Sequence, residues 1–124
     1  MADENETVVV SNSESTSILN SVKKSIGIDP TYQQFDTDIV MHINSVFTVL
    51  NQLGIGPSTP YSISGATETW SNFFGESPEL ELVKSYVAMK VRLIFDPPQN
   101  GSLLQALKDQ IAEFEWRVNV ASGV

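Results

Sequence analysis

The chain of 124 residues holds few side chains equipped for catalysis. His42 is the only histidine, and cysteine is absent. A Cys–His nucleophile pair is therefore unavailable, as is a zinc set built on thiolates or on two imidazoles. In helical projection His42 falls inside an apolar arc, between Val49 and Leu53, which is the place of a core or interface residue. Asp36 and Asp38 stand two apart, so on a helix they do not face each other. Capping of a helix start accounts for both. Gly54-Ile55-Gly56 follows a predicted helix rather than a strand and lacks the third glycine of a dinucleotide loop. The order and spacing suggest no Ser–His–Asp arrangement. The sequence thus predicts no enzyme, and no catalytic, cofactor or metal site.

Charge and size narrow the remaining classes. A formal net charge of −8 repels phosphate, which disfavours a protein that wraps nucleic acid. Basic residues are scattered; Lys84, Lys90 and Arg92 fall on the seams of one helix and read either as solvated seams or as contacts to DNA passing nearby. No apolar run approaches the roughly 20 residues of a membrane span, and the N-terminus does not read as a signal peptide. The length fits one domain. Residues 1–14 form an acidic arm with Asp3, Glu4, Glu6 and Glu14, interrupted by Thr7-Val8-Val9-Val10. That arm reads as flexible or as a β-prone segment that pairs with a neighbour; residues 15–120 form the folded domain, and 121–124 a flexible tail.

The elements that would position these side chains are helical. Ile18, Leu19, Val22 and Ile26 make an apolar stripe on a first helix over about 15–26, with Gly27 as its stop. Ile39, Val40, Ile43, Val46, Phe47, Val49, Leu50 and Leu53 make a second helix over about 37–53, capped by Asp36 or Thr37 and ended by Gly54. A long loop at 54–66 follows, kept out of helix by two prolines and three glycines. Tyr61 and Ile63 alternate there with serines. A helical turn near 68–74 packs Trp70, Phe73 and Phe74. Ser77-Pro78 starts a third helix at 78–95. Asp96-Pro97-Pro98 ends it. Ser102 through Gln105 matches a capping box for a last helix at 103–119. Leu103, Leu104, Leu107, Ile111, Phe114 and Val118 form its core stripe. The fold class is an all-α bundle of four main helices.

The helix ELELVKSYVAMKVRLIF carries two apolar stripes. Leu80, Val83, Val87, Val91 and Ile94 form one; Leu82, Tyr86, Met89 and Leu93 form another, centred about 130° further round. Both must be covered, by the chain itself or by a neighbour. The pattern alone leaves sandwich and subunit interface equally open. Trp116 points to the polar side of the last helix, as an interface anchor would.

Three stretches carry a resemblance: DIVMHINSVFTVLNQLGIG, VKSYVAMKVRLIFDPP and ALKDQIAEFEWRVNV, in that order. Together they resemble the head–tail connector (adaptor) proteins of long-tailed bacteriophages, over about residues 17–120. The resemblance implies a structural protein of the virion, made in the host bacterial cytoplasm and placed at the head–tail junction. It implies a homo-oligomeric ring of roughly twelve copies, following the symmetry of the portal. The ring extends the DNA channel, with the portal on the head side and a stopper or tail-completion protein on the other. DNA passes through without sequence-specific binding, which an acidic wall favours. The resemblance favours an interface at Leu82, Tyr86, Met89, Leu93 and Trp116. Tyr61, Ile63, Lys84, Lys90 and Arg92 are candidates for the channel or for ring contacts. The competing reading is a small helical accessory or regulatory protein that binds a phage or host protein.

Overall fold

The computed structural model describes residues 16–75 and 78–121. The acidic arm, Ser77 and its predicted cap, the side chain of Val118 and the residues beyond Ala121 lie outside the described set. Five helices follow one another: α1 Ile18–Ser25, α2 Asp36–Gln52, α3 Trp70–Phe74, α4 Leu80–Phe95 and α5 Gly101–Ala121. The described residues form no strand beyond one isolated bridge between Ser17 and Thr69. The all-α class predicted from periodicity is what the chain builds.

α1 starts because Ser17 caps it, its hydroxyl accepting from Asn20 N at 3.2 Å and donating to Ala66 O at 2.8 Å. It stops in a Schellman motif: Gly27 takes a left-handed conformation, and Ile28 N donates to Lys23 O at 2.8 Å. α2 ends the same way. Gly54 has φ 80°, and Ile55 N donates to Leu50 O at 2.9 Å. Both stops are the ones the glycines predict. The starts are less regular. Phe35, not Asp36 or Thr37, occupies the position before α2 and offers no side-chain cap; Asp36 is engaged elsewhere. α5 is capped by Asn100, whose Oδ1 accepts from Ser102 N and Leu103 N at 2.8 and 3.2 Å. The helix therefore begins before the predicted capping box, because a carboxamide two residues earlier meets the free amides first.

α4 is the middle layer. It packs against α2 on one side and α5 on another, with α1 and α3 closing the remaining edge. Val83, Val87 and Val91 are buried in the core with Ile18, Leu19 and Val22 of α1 and Ile39, Ile43, Val46, Phe47 and Leu50 of α2. Ring contacts fill the wide end: Phe47 stacks on Phe73 at 4.4 Å, with Trp70 and Tyr61 against it edge-on. α5 contributes less. Leu107 and Ile111 are buried and Phe114 is half-buried, but Leu103, predicted to be core, lies exposed. It precedes the crossing of α5 over α4, where no partner helix remains to cover it. Ile94 is exposed for the same reason at the other helix's end.

The 54–66 segment is a strap laid on α2. Asn44 brackets Ile63 with both amide atoms: Nδ2 donates to Ile63 O at 3.0 Å, and Oδ1 accepts from Ile63 N at 2.8 Å. Asn51 Nδ2 donates to Pro57 O at 3.3 Å. Ile55 and Ile63 enter the core. Gly56, with φ 91°, lies so close to Phe73 that a Cβ would sit 2.7 Å from the ring.

Candidate interaction surfaces

The described residues bring together no group of three or more His, Asp or Glu side chains able to hold a metal. His42 is half-buried, its ring 6.2 Å from that of Phe95. It packs beside Phe95, with no acid or nucleophile partner among the described residues.

Two of the three candidate cations have ion partners. Lys84 pairs with Glu81 at 3.3 Å, and Lys90 lies 3.8 Å from Glu115. Arg92 is exposed and makes no ion pair among the described residues. Arg117 reaches Glu113 at 2.8 Å, the i,i+4 pair its spacing predicts.

Lys23 was legible only as a favourable charge at the end of α1. The fold instead encloses it completely, at 0% exposure. Its Nζ donates to Pro30 O at 2.9 Å and lies 2.7 Å from Asp36 Oδ1. The contact to Asp36 is held by charge and proximity, not by an aligned hydrogen bond. This explains why Asp36 does not cap α2: its carboxylate turns back to neutralise a buried ammonium. The signal in the sequence was the Ile28-Asp29-Pro30 turn, which brings the start of α2 back over the end of α1.

The predicted interface stripe divides. Tyr86 is 0% exposed, and its hydroxyl donates to Glu115 Oε2 of α5 at 2.8 Å. Burial first, then this bond and the charge of Glu115, push the Tyr86 phenol well above its ordinary pKa. Leu82, Met89 and Leu93 are half-buried against the same core. Tyr86 therefore faces α5 of its own chain and has no surface to give a neighbour in this fold. Trp116 differs: it is 67% exposed on the outer side of α5, near the exposed Val120. Ile63 is core and Tyr61 is half-buried against Phe47 and Phe73, so neither projects freely. Burial raises the Tyr61 phenol, helped by the charge of Glu68.

Two surface features were not found from the sequence. One is a row of rings: Tyr32 against Phe35 at 5.6 Å, Phe35 against Phe95 at 5.4 Å, and Phe95 against His42. Tyr32 is 46% exposed. The row joins the 26–35 turn to the ends of α2 and α4, and only the fold makes it continuous. The other is a groove of about 490 Å³ along α4, between α1 and α5. Met89, Leu107 and Phe114 line it, with Lys84 and Arg92 on its α4 wall.

The described residues thus form a small all-α bundle with a sealed core and with large apolar side chains, Trp116 and Tyr32 among them, left on its outside. The family model of phage connector proteins matches residues 18–124, nearly the whole domain, and the chain belongs to that family. No curated protein and no solved structure matches the chain at a significant level. Membership makes this a structural connector of the phage virion, associated with portal and tail proteins. No helix among the described residues is long and apolar enough to cross a membrane.

Proposed function

We propose that copies of this chain form a closed ring, roughly twelve-fold, between portal and tail. The ring extends the DNA channel and offers a platform to a stopper or tail-completion protein. Subunits are made in the host cytoplasm and end in the virion.

The observation that carries this reading is the placement of two unlike apolar patches. A cyclic ring requires two different surfaces per subunit that complement each other. Trp116 and Val120 lie on the outer side of α5. The row of Tyr32, Phe35 and Phe95 joins the start of α2 to the end of α4. α4 packs against both α2 and α5, so the first patch belongs to one neighbour of α4 and the second to the start of the other. An exposed tryptophan meeting an aromatic surface is the usual chemistry of an interface anchor. Leu82, Met89 and Leu93, half-buried against the core, contribute from beneath by packing rather than by direct contact with a neighbour. The negative net charge supports a channel wall that lets phosphate slide. Among the three candidate cations of α4, Arg92 is the one without an ion pair among the described residues, and so the one available to DNA or a neighbour.

Trp116→Asp tests the proposal, because it removes the anchor without touching the core. The variant should keep its helical content and lose ring formation on the portal. Rings of normal size and stability from Trp116→Asp would refute this interface.

A further inference from the structure

We infer that Lys23 is the positioning residue of the aromatic row on the outside of the bundle. Its enclosed ammonium sets the 26–35 turn in the conformation that brings Tyr32 and Phe35 to Phe95. The charge sits where the core does not need one. Lys23 is 0% exposed, on the same short helix as the buried Ile18, Leu19 and Val22. Enclosing an ammonium is expensive, and a buried ion pair adds little net stability over apolar side chains of similar volume. Such pairs are best attested where they fix a register.

The contacts of Lys23 show which register it fixes. Its Nζ donates to Pro30 O at 2.9 Å and lies 2.7 Å from Asp36 Oδ1. Residues 30 and 36 bracket Tyr32 and Phe35, the two members of the row that the turn supplies. One group on α1 therefore holds the chain on both sides of them. The other bonds of the turn are local. Asp29 Oδ1 accepts from Thr31 N at 2.8 Å and from Thr31 Oγ1 at 2.7 Å. Tyr32 N donates to Asp29 O at 2.9 Å, and Asp36 N to Gln33 O at 3.2 Å. The Tyr32 hydroxyl donates to Gln34 Oε1 at 2.8 Å. These bonds shape two short pieces, 29–32 and 33–36, and none of them ties either piece to α1. The bond from Ile28 N to Lys23 O anchors only the start of the turn.

The rings cannot replace the clamp. Tyr32 is 46% and Phe35 39% exposed, so their burial supplies only part of what a core aromatic would. Yet the row is continuous, with centroids 5.6 and 5.4 Å apart. The clamp thus builds the row in the free subunit, and a partner does not have to order it on binding. That consequence for assembly rests on the ring reading, in which the row meets a neighbouring subunit; the clamp itself does not.

The test compares the parent chain with Lys23→Met and Asp36→Asn as free subunits. Amide hydrogen exchange at positions 32 and 36 reads the turn, and position 55, whose N–H closes the matching stop of α2, reads the rest of the fold. In Lys23→Met, positions 32 and 36 should exchange about tenfold faster relative to position 55, and the nuclear Overhauser contact between Phe35 and Phe95 should weaken. Asp36→Asn keeps the ammonium and loosens one of its two ends, so it should move the same amides less. Ile43→Val, a core substitution that lowers global stability and leaves the clamp intact, should keep the parental ratio; this separates positioning from a general loss of stability. Parental ratios in both clamp variants would overturn the inference, whatever the rings do. Ring formation on the portal is the second readout, and Lys23→Met should require about tenfold more subunit because the turn must be ordered on binding. A loosened turn with rings formed at parental concentrations would leave the clamp standing and remove the row from the ring interface.

Discussion

The two long sides of α4 are covered by different chemistry. Towards α1 and α2 it presents Val83, Val87 and Val91, met by aliphatic residues and by Phe47, all at or near zero exposure. Towards α5 it presents Tyr86 and Lys90, and the answer is a carboxylate, Glu115, with Leu107, Ile111 and a half-buried Phe114 around it. The first side is a dry core whose strength scales with buried area. The second is thinner, and a polar latch sets its register. The helix that carries Trp116 is therefore the one held less firmly. Under the proposed ring this suits an element that settles against a neighbour, because regions with few buried contacts open at lower free energy.

Truncations should expose the difference most strongly. Phe47→Ala should cost about 3–5 kcal/mol by the usual range for a buried aromatic, whereas Phe114→Ala, only half-buried, should cost about 1–2 kcal/mol. Urea unfolding of both variants checks this; equal losses would remove the asymmetry. On the firm side one charge is buried, and Asp36→Ala should cost about 3 kcal/mol, since it strands the enclosed Lys23. Lys23→Met should be milder, about 1 kcal/mol, because Asp36 keeps access to water.

The latch and the strap should answer to opposite ends of the pH scale. Tyr86 has a raised folded pKa, so its contribution is intact below the ordinary tyrosine value of 10.0 and is lost as pH climbs above it. Tyr86→Phe should cost about 1 kcal/mol at neutral pH and flatten the alkaline limb of a stability–pH curve. Glu68 behaves inversely. Burial works to raise its pKa, but bonds from Ser64 N, Ser64 Oγ and Gly65 N outweigh it, and the net value is lowered. Its contribution is present above the ordinary glutamate value of 4.5 and fades as pH falls through the lowered one. Glu68→Gln should flatten the acid limb and leave the alkaline limb unchanged. Smallest of all, Arg117→Ala should change stability by less than about 0.5 kcal/mol, because its pair with Glu113 is exposed on both sides.

Helices and stops were legible because they rest on local chemistry: apolar periodicity, Gly27 and Gly54 at the Schellman positions, and Pro97 and Pro98 after α4. What escaped the sequence rests on contacts between distant residues. Lys23 and Asp36 are thirteen positions apart, and nothing in either residue alone announces a buried pair. Asn44 reads as a polar residue on a helix, yet it pins Ile63 and turns a long loop into part of the core. The two stripes of α4 were visible, but the choice between neighbour helix and neighbour subunit was not. Tyr86 resolves it for its own position only through Glu115, a residue that reads from sequence as one more exposed acid. Trp116 was the reverse case. Its position off the apolar stripe of α5 already predicted exposure.

The central claim is that these subunits close into a ring through Trp116. Electron microscopy of the protein mixed with its portal, alongside the Trp116→Asp variant, tests it most directly. The account predicts closed rings with a central hole, seated on the portal, for the parent chain and none for the variant. Portals that carry isolated, unringed subunits of the parent chain would contradict it.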